Sequence, residues 1–164
     1  MNFITHVIIY NNKAFTFTIL RADGVPHYSE PVYTTNLNIA ELTEVLNIAI
    51  KEKNPEFSNT DLDNEWIKSS KILIKYTHAK SQKQLVKNSL CYYLLWEENI
   101  LHVSMSEWGS WDIDYVNNRN KILPADTDMN TIAKIIIDDA LSHPEVLSPP
   151  VIIQKPRKNA VDTM

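Results

Sequence analysis

The chain has 164 residues, 44% of them apolar and 22% charged, and a formal net charge of −4 at pH 7. This composition is typical of one globular domain, and the acidic balance argues against direct nucleic-acid binding as its main function. Two glycines in the whole chain argue against the glycine-rich loops that hold nucleotides. The single cysteine, Cys91, excludes an internal disulfide, and the first residues lack the features of a signal peptide or membrane span, so we expect a cytoplasmic protein.

Residues 1–55 are predicted to form a first unit of three strands and a helix. The strands follow from alternating apolar residues: Thr5–Tyr10, Ala14–Arg21 and a third beginning at Pro31–Tyr33. A turn is predicted at Asn11-Asn12-Lys13, because asparagine tolerates positive φ. Asn38 and Glu41 form a capping-box pattern, so the helix is predicted to begin after Asn38 and to end before Asn54-Pro55.

Residues 56–79 are predicted to be a polar connection followed by a strand. The connection, residues 56–70, includes three carboxylates and a tryptophan: Asp61, Asp63, Glu65 and Trp66. The strand is predicted over Lys71–Tyr76, where the sequence KILIKY alternates.

Residues 80–143 are predicted to form a second unit of the same kind, preceded by a short helix over Ser81–Asn88. The sequence predicts four strands: Leu90–Trp96, Ile100–Met105, Ile113–Tyr115 and Lys121–Leu123. Thr127 or Asp128 is predicted to cap the final helix. Residues 144–164 are rich in proline and basic residues and are predicted to be a loosely ordered tail.

The two units share an apolar pattern that suggests an internal duplication. In the hairpins the pairs lie 86 residues apart: Phe15/Leu101, Phe17/Val103 and Ile19/Met105. In the helices they lie 91 apart: Leu42/Ala133, Val45/Ile136, Leu46/Ile137, Ala49/Ala140 and Ile50/Leu141. The alternative is that a hairpin followed by a helix has recurred by chance. The predicted fold is α+β, with two related β-hairpin–β–α units, a mainly antiparallel sheet and a helix packed on each unit, all within one structural domain.

Residues 107–115, the aromatic segment, combine large aromatic side chains with carboxylates. Its candidate binding residues are Glu107, Trp108, Trp111, Asp112, Asp114 and Tyr115. Tryptophan and tyrosine are common anchors of protein interfaces, and carboxylates steer a basic partner toward them. The alternative is that Trp108 and Trp111 cap the hydrophobic core. The acidic connection with Asp61, Asp63, Glu65 and Trp66 is the second candidate.

Catalytic and metal-binding patterns are weak in this sequence. The five histidines have no metal-ligand spacing, so neither a metal nor a cofactor is predicted. Cys91 lies in an apolar strand and fits packing better than nucleophilic attack. His102 alternates with apolar neighbours and is expected on the solvent side of its strand. The paired carboxylates fit turns and helix starts better than an acid–base pair.

The second unit resembles the immunity proteins of bacterial contact-dependent growth inhibition systems. The resemblance lies in the helix SQKQLVKN, the strands SLCYYLLWEENILHVSM and the helix NTIAKIIIDDAL. It implies a non-catalytic cytosolic protein that neutralises a cognate toxin domain, in most cases a nuclease, by stoichiometric occlusion. An acidic surface fits that role, because it competes for the basic groove of a nuclease. The alternatives are a regulatory or adaptor module that binds another protein, and a small hydrolase that uses Asp112 or Asp114.

Overall fold

The computed structural model describes residues 3–22, 25–52, 62–112 and 118–147. Six antiparallel strands form one sheet: β1 Phe3–Tyr10, β2 Lys13–Ala22, β3 Val25–Asn36, β4 Ser89–Glu97, β5 Ile100–Met105 and β6 Lys121–Pro124. The α-helices are α1 Ile39–Lys51, α2 Leu62–Thr77, α3 Gln82–Lys87 and α4 Met129–Leu141, and a short 3-10 helix follows at Pro144–Leu147. The predicted α+β class is confirmed.

The sheet has the strand order β3-β2-β1-β4-β5-β6, so each predicted unit supplies three adjacent strands. The two halves meet where β1 pairs antiparallel with β4 along its whole length, from Phe3 opposite Trp96 to Tyr10 opposite Ser89. Each half is followed in the chain by a helix, α1 or α4. The sheet is therefore continuous across both units.

Each face of the sheet has its own hydrophobic core, because successive strand residues point to opposite faces. On one face, α1 and α4 pack over residues such as Val7, Ile9, Leu94 and Leu101. On the other face, α2 and α3 pack over residues such as Ile8, Phe15, Phe17 and Ile19. We call these the α1/α4 face and the α2/α3 face.

The predicted correspondence between the two hairpins, in which equivalent residues lie 86 apart, is wrong by one position. The two-residue turns correspond at Asn11-Asn12 and Glu98-Asn99, which lie 87 residues apart. A shift of one residue moves every side chain of a strand to the other face. Accordingly Phe15, Phe17 and Ile19 lie on the α2/α3 face, whereas Leu101, Val103 and Met105 lie on the α1/α4 face. A duplication of the sequence stays a prediction.

The helix pairs 91 apart share burial. Their first four members are buried in both helices: Leu42, Val45, Leu46 and Ala49 in α1, and Ala133, Ile136, Ile137 and Ala140 in α4.

The helix starts agree with their predicted caps. Asn38 Oδ1 accepts a hydrogen bond from Glu41 N at 3.0 Å. Glu41 Oε2 accepts from Asn36 N at 2.8 Å, so the predicted reciprocal bond reaches two residues further back than a standard capping box. Asp128, and not Thr127, caps α4.

The predicted strand Lys71–Tyr76 is wrong, because these residues belong to α2. Six residues of alternating pattern do not distinguish a strand from one side of a helix. Over a longer window the helical period is visible, since Ser69, Leu73 and Thr77 are four apart and all buried. The predicted polar connection also ends earlier, since residues 62–70 are helical. The short helix α3 is confirmed, with Ser81 as its cap.

Candidate protein-binding site

Residues 106–112, which we call the aromatic loop, follow β5 and lie beside the start of β4. Ser106 N donates to Cys91 O at 2.9 Å, and Ser106 Oγ accepts from Cys91 N at 2.8 Å. Gly109 N donates to Ser89 O at 3.2 Å. Gly109 has a φ of +81°, and a Cβ atom there would lie 3.2 Å from Lys87 O. Glycine is therefore required at the closest approach of this loop to the end of α3.

Trp111 is anchored on the α2/α3 face. Its Nε1 donates to Ser89 Oγ at 2.8 Å, and its carbonyl oxygen accepts from the Tyr93 hydroxyl at 3.0 Å. Its ring centroid lies 6.3 Å from that of Tyr28. The side chain is half-buried against the core of this face. Trp111 therefore stabilises the packing of the aromatic loop on the sheet, and part of its side chain remains exposed to solvent.

Trp108 lies on the opposite side of the sheet, half-buried against the core of the α1/α4 face. The two tryptophans thus close the two cores at the same end of the sheet, as the core-capping alternative expected. Their remaining exposed surface is what a partner could contact.

The carboxylates of the aromatic loop point to solvent. Glu107 Oε1 lies 3.3 Å from Arg119 Nη2, with 66% of the Glu107 side chain exposed. Asp112 is exposed, and its N–H donates to Ser110 Oγ at 3.2 Å. Asp114 and Tyr115 lie outside the described residues, so the structure does not place them beside Asp112.

The second candidate surface is described only in part. Asp61 lies outside the described residues. Asp63, Glu65 and Trp66 lie in the first turns of α2, and their side chains are outside the described part of the chain. Their binding role stays a prediction.

A polar network centred on Arg119 ties the aromatic loop to α4. Arg119 Nη1 lies 3.1 and 3.0 Å from the two carboxylate oxygens of Asp139, and Nη2 donates to Ser106 O at 2.6 Å. The Tyr92 hydroxyl donates to Asp139 Oδ2 at 2.7 Å. His143 Nε2 lies 2.9 Å from Arg119 Nη1 and accepts from it, because a guanidinium can only donate.

This network is largely withdrawn from solvent, with 11% of the Asp139 side chain and 22% of the Arg119 side chain exposed. Burial, followed by the charge of Asp139, raises the pKa of Tyr92 well above its usual value. Sequence reasoning missed both members of the ion pair. The sequence does contain a signal for this ion pair: Asp139 lies three residues after Ile136 and seven after Ile132, on the apolar side of α4. A carboxylate in that position implies a buried cation.

Two side chains of types that are often catalytic, His6 and Cys91, are buried in the core of the α2/α3 face. Burial lowers the pKa of His6 to about 3 and raises the pKa of the Cys91 thiol to about 12. His6 Nδ1 lies 3.0 Å from the Tyr28 hydroxyl, and its ring centroid lies 4.1 Å from that of Tyr93. At neutral pH His6 is uncharged and Cys91 is a thiol, which fits packing better than catalysis.

The outer part of the α2/α3 face, over β4, β5 and β6, contains a shallow hollow of about 430 Å³. His102 lines it, as expected for the solvent side of β5, and its Nε2 lies 3.3 Å from Glu97 Oε2. Ile122 beside it is 72% exposed. Within the described residues, no group of three or more histidine, cysteine, aspartate or glutamate side chains is placed to hold a metal ion. The described helices include none that is both long and apolar enough to cross a membrane.

Comparison with known proteins identifies the fold and no sequence family. No family model matches the chain, and no curated protein matches it. Among solved structures, the chain is similar to a protein of unknown function from Neisseria meningitidis, with a TM-score of 0.62 and 13% identity, over 84% of this chain and 93% of that one. It is equally similar to a chain of a CdiA-CT/CdiI toxin and immunity complex from Yersinia pseudotuberculosis, with a TM-score of 0.62 and 13% identity, over 87% of this chain and 97% of that one. At this identity the likeness concerns the fold.

Proposed function

We propose that this chain is an immunity protein that binds a toxin domain of a contact-dependent growth inhibition system and neutralises it by stoichiometric occlusion. The observation that carries the proposal is the similarity to a chain of the Yersinia toxin and immunity complex, which spans nearly the whole of both chains. The helix–strands–helix order of the second unit, which resembles that of immunity proteins, is consistent with the proposal. The cytoplasm, where a delivered toxin acts, is the proposed location.

The proposed partner is a basic nuclease domain, contacted by the aromatic loop. Glu107 and Asp112 are exposed and adjoin Trp108 and Trp111 in the sequence, and both tryptophans are only partly buried. Aromatic groups held by a rigid framework lose little entropy on binding, and acidic groups at the rim accelerate the encounter with a basic surface. Arg119 supports this arrangement, since it fixes the start of the loop through Ser106 O and Glu107.

Inhibition by binding is favoured over hydrolysis by the state of the reactive groups. The Cys91 thiol is buried and its pKa is raised, so little nucleophilic thiolate forms at neutral pH. Asp112, proposed in the hydrolase alternative, is an exposed side chain at the surface of the aromatic loop, whereas catalytic groups usually lie in a concave pocket.

The test is a calorimetric titration of this protein with the toxin domain encoded directly upstream of its gene. Asp112→Lys should weaken the complex at least about tenfold, because it places a cation against a basic partner. Asp126→Lys is the matched control. Asp126 is equally exposed but lies in the turn after β6, at the other end of the sheet, so this variant should bind as the unchanged protein does.

Equal affinities of the two variants would remove the aromatic loop from the interface. Absence of any complex with the unchanged protein would refute the proposed function itself.

A further inference from the structure

Lysines on α2, on α3 and in the connection between them follow one spacing twice. Lys68, Lys71 and Lys75 are separated by three and four residues, and the same intervals recur twelve residues later at Lys80, Lys83 and Lys87. We call these six residues the lysine face. No aspartate or glutamate occurs between Trp66 and Trp96, although the chain as a whole is acidic. The six lysines carry a formal charge of +6, so the rest of the chain carries −10, which is −4 minus 6.

The spacing places the α2 lysines together on the solvent side of the helix. Positions three, four and seven apart share one side of an α-helix. The buried side of α2 is formed by Ser69, Leu73 and Thr77. At 100° per residue, the three lysines fall on the opposite side, and all three are exposed.

The short helix α3 continues the same surface. Ser70 Oγ donates to Gln82 Oε1 at 2.9 Å, which holds the first turn of α3 beside the middle of α2. Lys71 and Lys83 are the next residues after this bonded pair, and both are exposed. Leu85, on the other side of α3, is fully buried in the core. The α3 lysines therefore extend the positive surface of α2.

The positive charge also extends toward the β1–β2 turn. A depression of about 560 Å³ there is lined by Lys13, Lys75 and His78. Among the described residues, none of those that line the depression is an aspartate or glutamate; the rest of the lining is Asn11, Phe15, Thr34, Tyr76 and Thr77.

Within the described part of the chain, three of the six lysines in the lysine face lack the acidic partners that are common on a solvated helix. Lys75 binds Glu30 at 2.7 Å. No carboxylate among the described residues forms an ion pair with Lys71, Lys83 or Lys87. On α4, by contrast, Lys134 pairs with Asp138 one turn away. Like charges three or four residues apart destabilise a helix, so repeating them needs a reason other than stability.

We propose that the lysine face binds the phosphodiester backbone of a nucleic acid without reading its base sequence. A row of lysines offers point charges on flexible stems, which suit phosphates at variable positions. A protein partner would favour aromatic or arginine anchors. The exposed residues of α3 and its start are lysine, serine and glutamine. The net charge of −4 conceals this surface because it averages over a chain whose charges are segregated.

The experiment measures fluorescence anisotropy of the full-length protein with labelled 30-nucleotide probes, single-stranded RNA and duplex DNA, each in two unrelated sequences. Affinity should fall steeply with NaCl and be the same for both sequences of a probe type. The probe type that binds more tightly identifies the backbone geometry. In Lys71→Gln/Lys83→Gln/Lys87→Gln, affinity should fall at least about tenfold, and the slope of log affinity against log salt should shrink by about 2 to 3.

The matched control is Lys51→Gln/Lys121→Gln/Lys134→Gln, which removes three exposed lysines outside the lysine face. It has the same net charge as the test variant and should bind as the unchanged protein does. Circular dichroism confirms that both variants fold. Equal loss in the two triple variants, or no binding by the unchanged protein at 50 mM NaCl, overturns the proposal. Equally tight binding to poly-L-glutamate of similar length also overturns it, and would assign the face to an acidic protein.

Discussion

His6 couples the stability of the fold to pH. Its folded pKa is lowered by burial to about 3, against an ordinary value of 6.5. Below pH 6.5 the His6 imidazole binds a proton in the unfolded chain but not in the folded chain. The stability that neutral His6 supports is therefore complete above pH 6.5 and is lost as the pH falls toward 3, at about 1.4 kcal/mol per pH unit.

His6→Gln should flatten this dependence, because glutamine can still bond the Tyr28 hydroxyl and does not titrate. Between pH 7.5 and 5.0, the loss of unfolding free energy in urea should be smaller in the variant by about 2 kcal/mol. His78→Asn is the control, since His78 is exposed and has a φ of +58° that asparagine tolerates. A pH dependence unchanged by His6→Gln would show that His6 takes up a proton as readily in the folded chain as in the unfolded chain, which would contradict its lowered pKa.

Arg119 is expected to be one of the most sensitive positions outside the apolar core. Arg119→Met leaves the Asp139 carboxylate, 11% exposed, without its cation, and should cost roughly 2–4 kcal/mol of unfolding free energy. Lys134→Met breaks an exposed pair on the same helix and should cost less than about 1 kcal/mol. Urea unfolding of both variants measures the difference. Similar losses would contradict the structural role given to the Arg119 network.

At the scale of elements, the aromatic loop depends on the backbone of Gly109. Gly109→Ala places a side chain at a φ of +81° and a Cβ atom 3.2 Å from Lys87 O. We expect a loss of about 1–2 kcal/mol and a shift in tryptophan fluorescence, since Trp111 lies two residues further on. Thermal unfolding and emission spectra measure both. Wild-type stability and emission would mean that the loop is free to move away from α3.

The elements with explicit start and stop signals were predictable from sequence. Asn38 and Ser81 mark helix starts that the structure confirms, and Asn11-Asn12 forms a tight turn with positive φ at both residues. The segment Lys71–Tyr76 was not, because its period is ambiguous without the buried positions Ser69 and Thr77. Which face each hairpin strand buries also depends on tertiary pairing, so the sequence pattern alone does not distinguish two alignments of the hairpins that differ by one residue.

At the scale of the whole molecule, the position of the candidate site in the sequence was predictable, but its three-dimensional arrangement was not. Its density of tryptophan and carboxylate residues is visible in the sequence, and the structure places Trp108 and Trp111 on opposite cores. Its support was not visible, because Arg119, Ser106 and Asp139 come from distant parts of the chain. Likewise the lysine face was hidden by a net charge taken over the whole chain.

The proposed function requires inhibition by occupancy, so the amount of protein needed to silence the toxin is its most direct test. The nuclease activity of the upstream-encoded toxin domain would be assayed on total RNA and plasmid DNA, at a toxin concentration far above the dissociation constant, while this protein is titrated in. We expect toxin activity to fall linearly to zero at one equivalent, independent of incubation time. Full toxin activity at several equivalents, or time-dependent loss far below one equivalent, would contradict it.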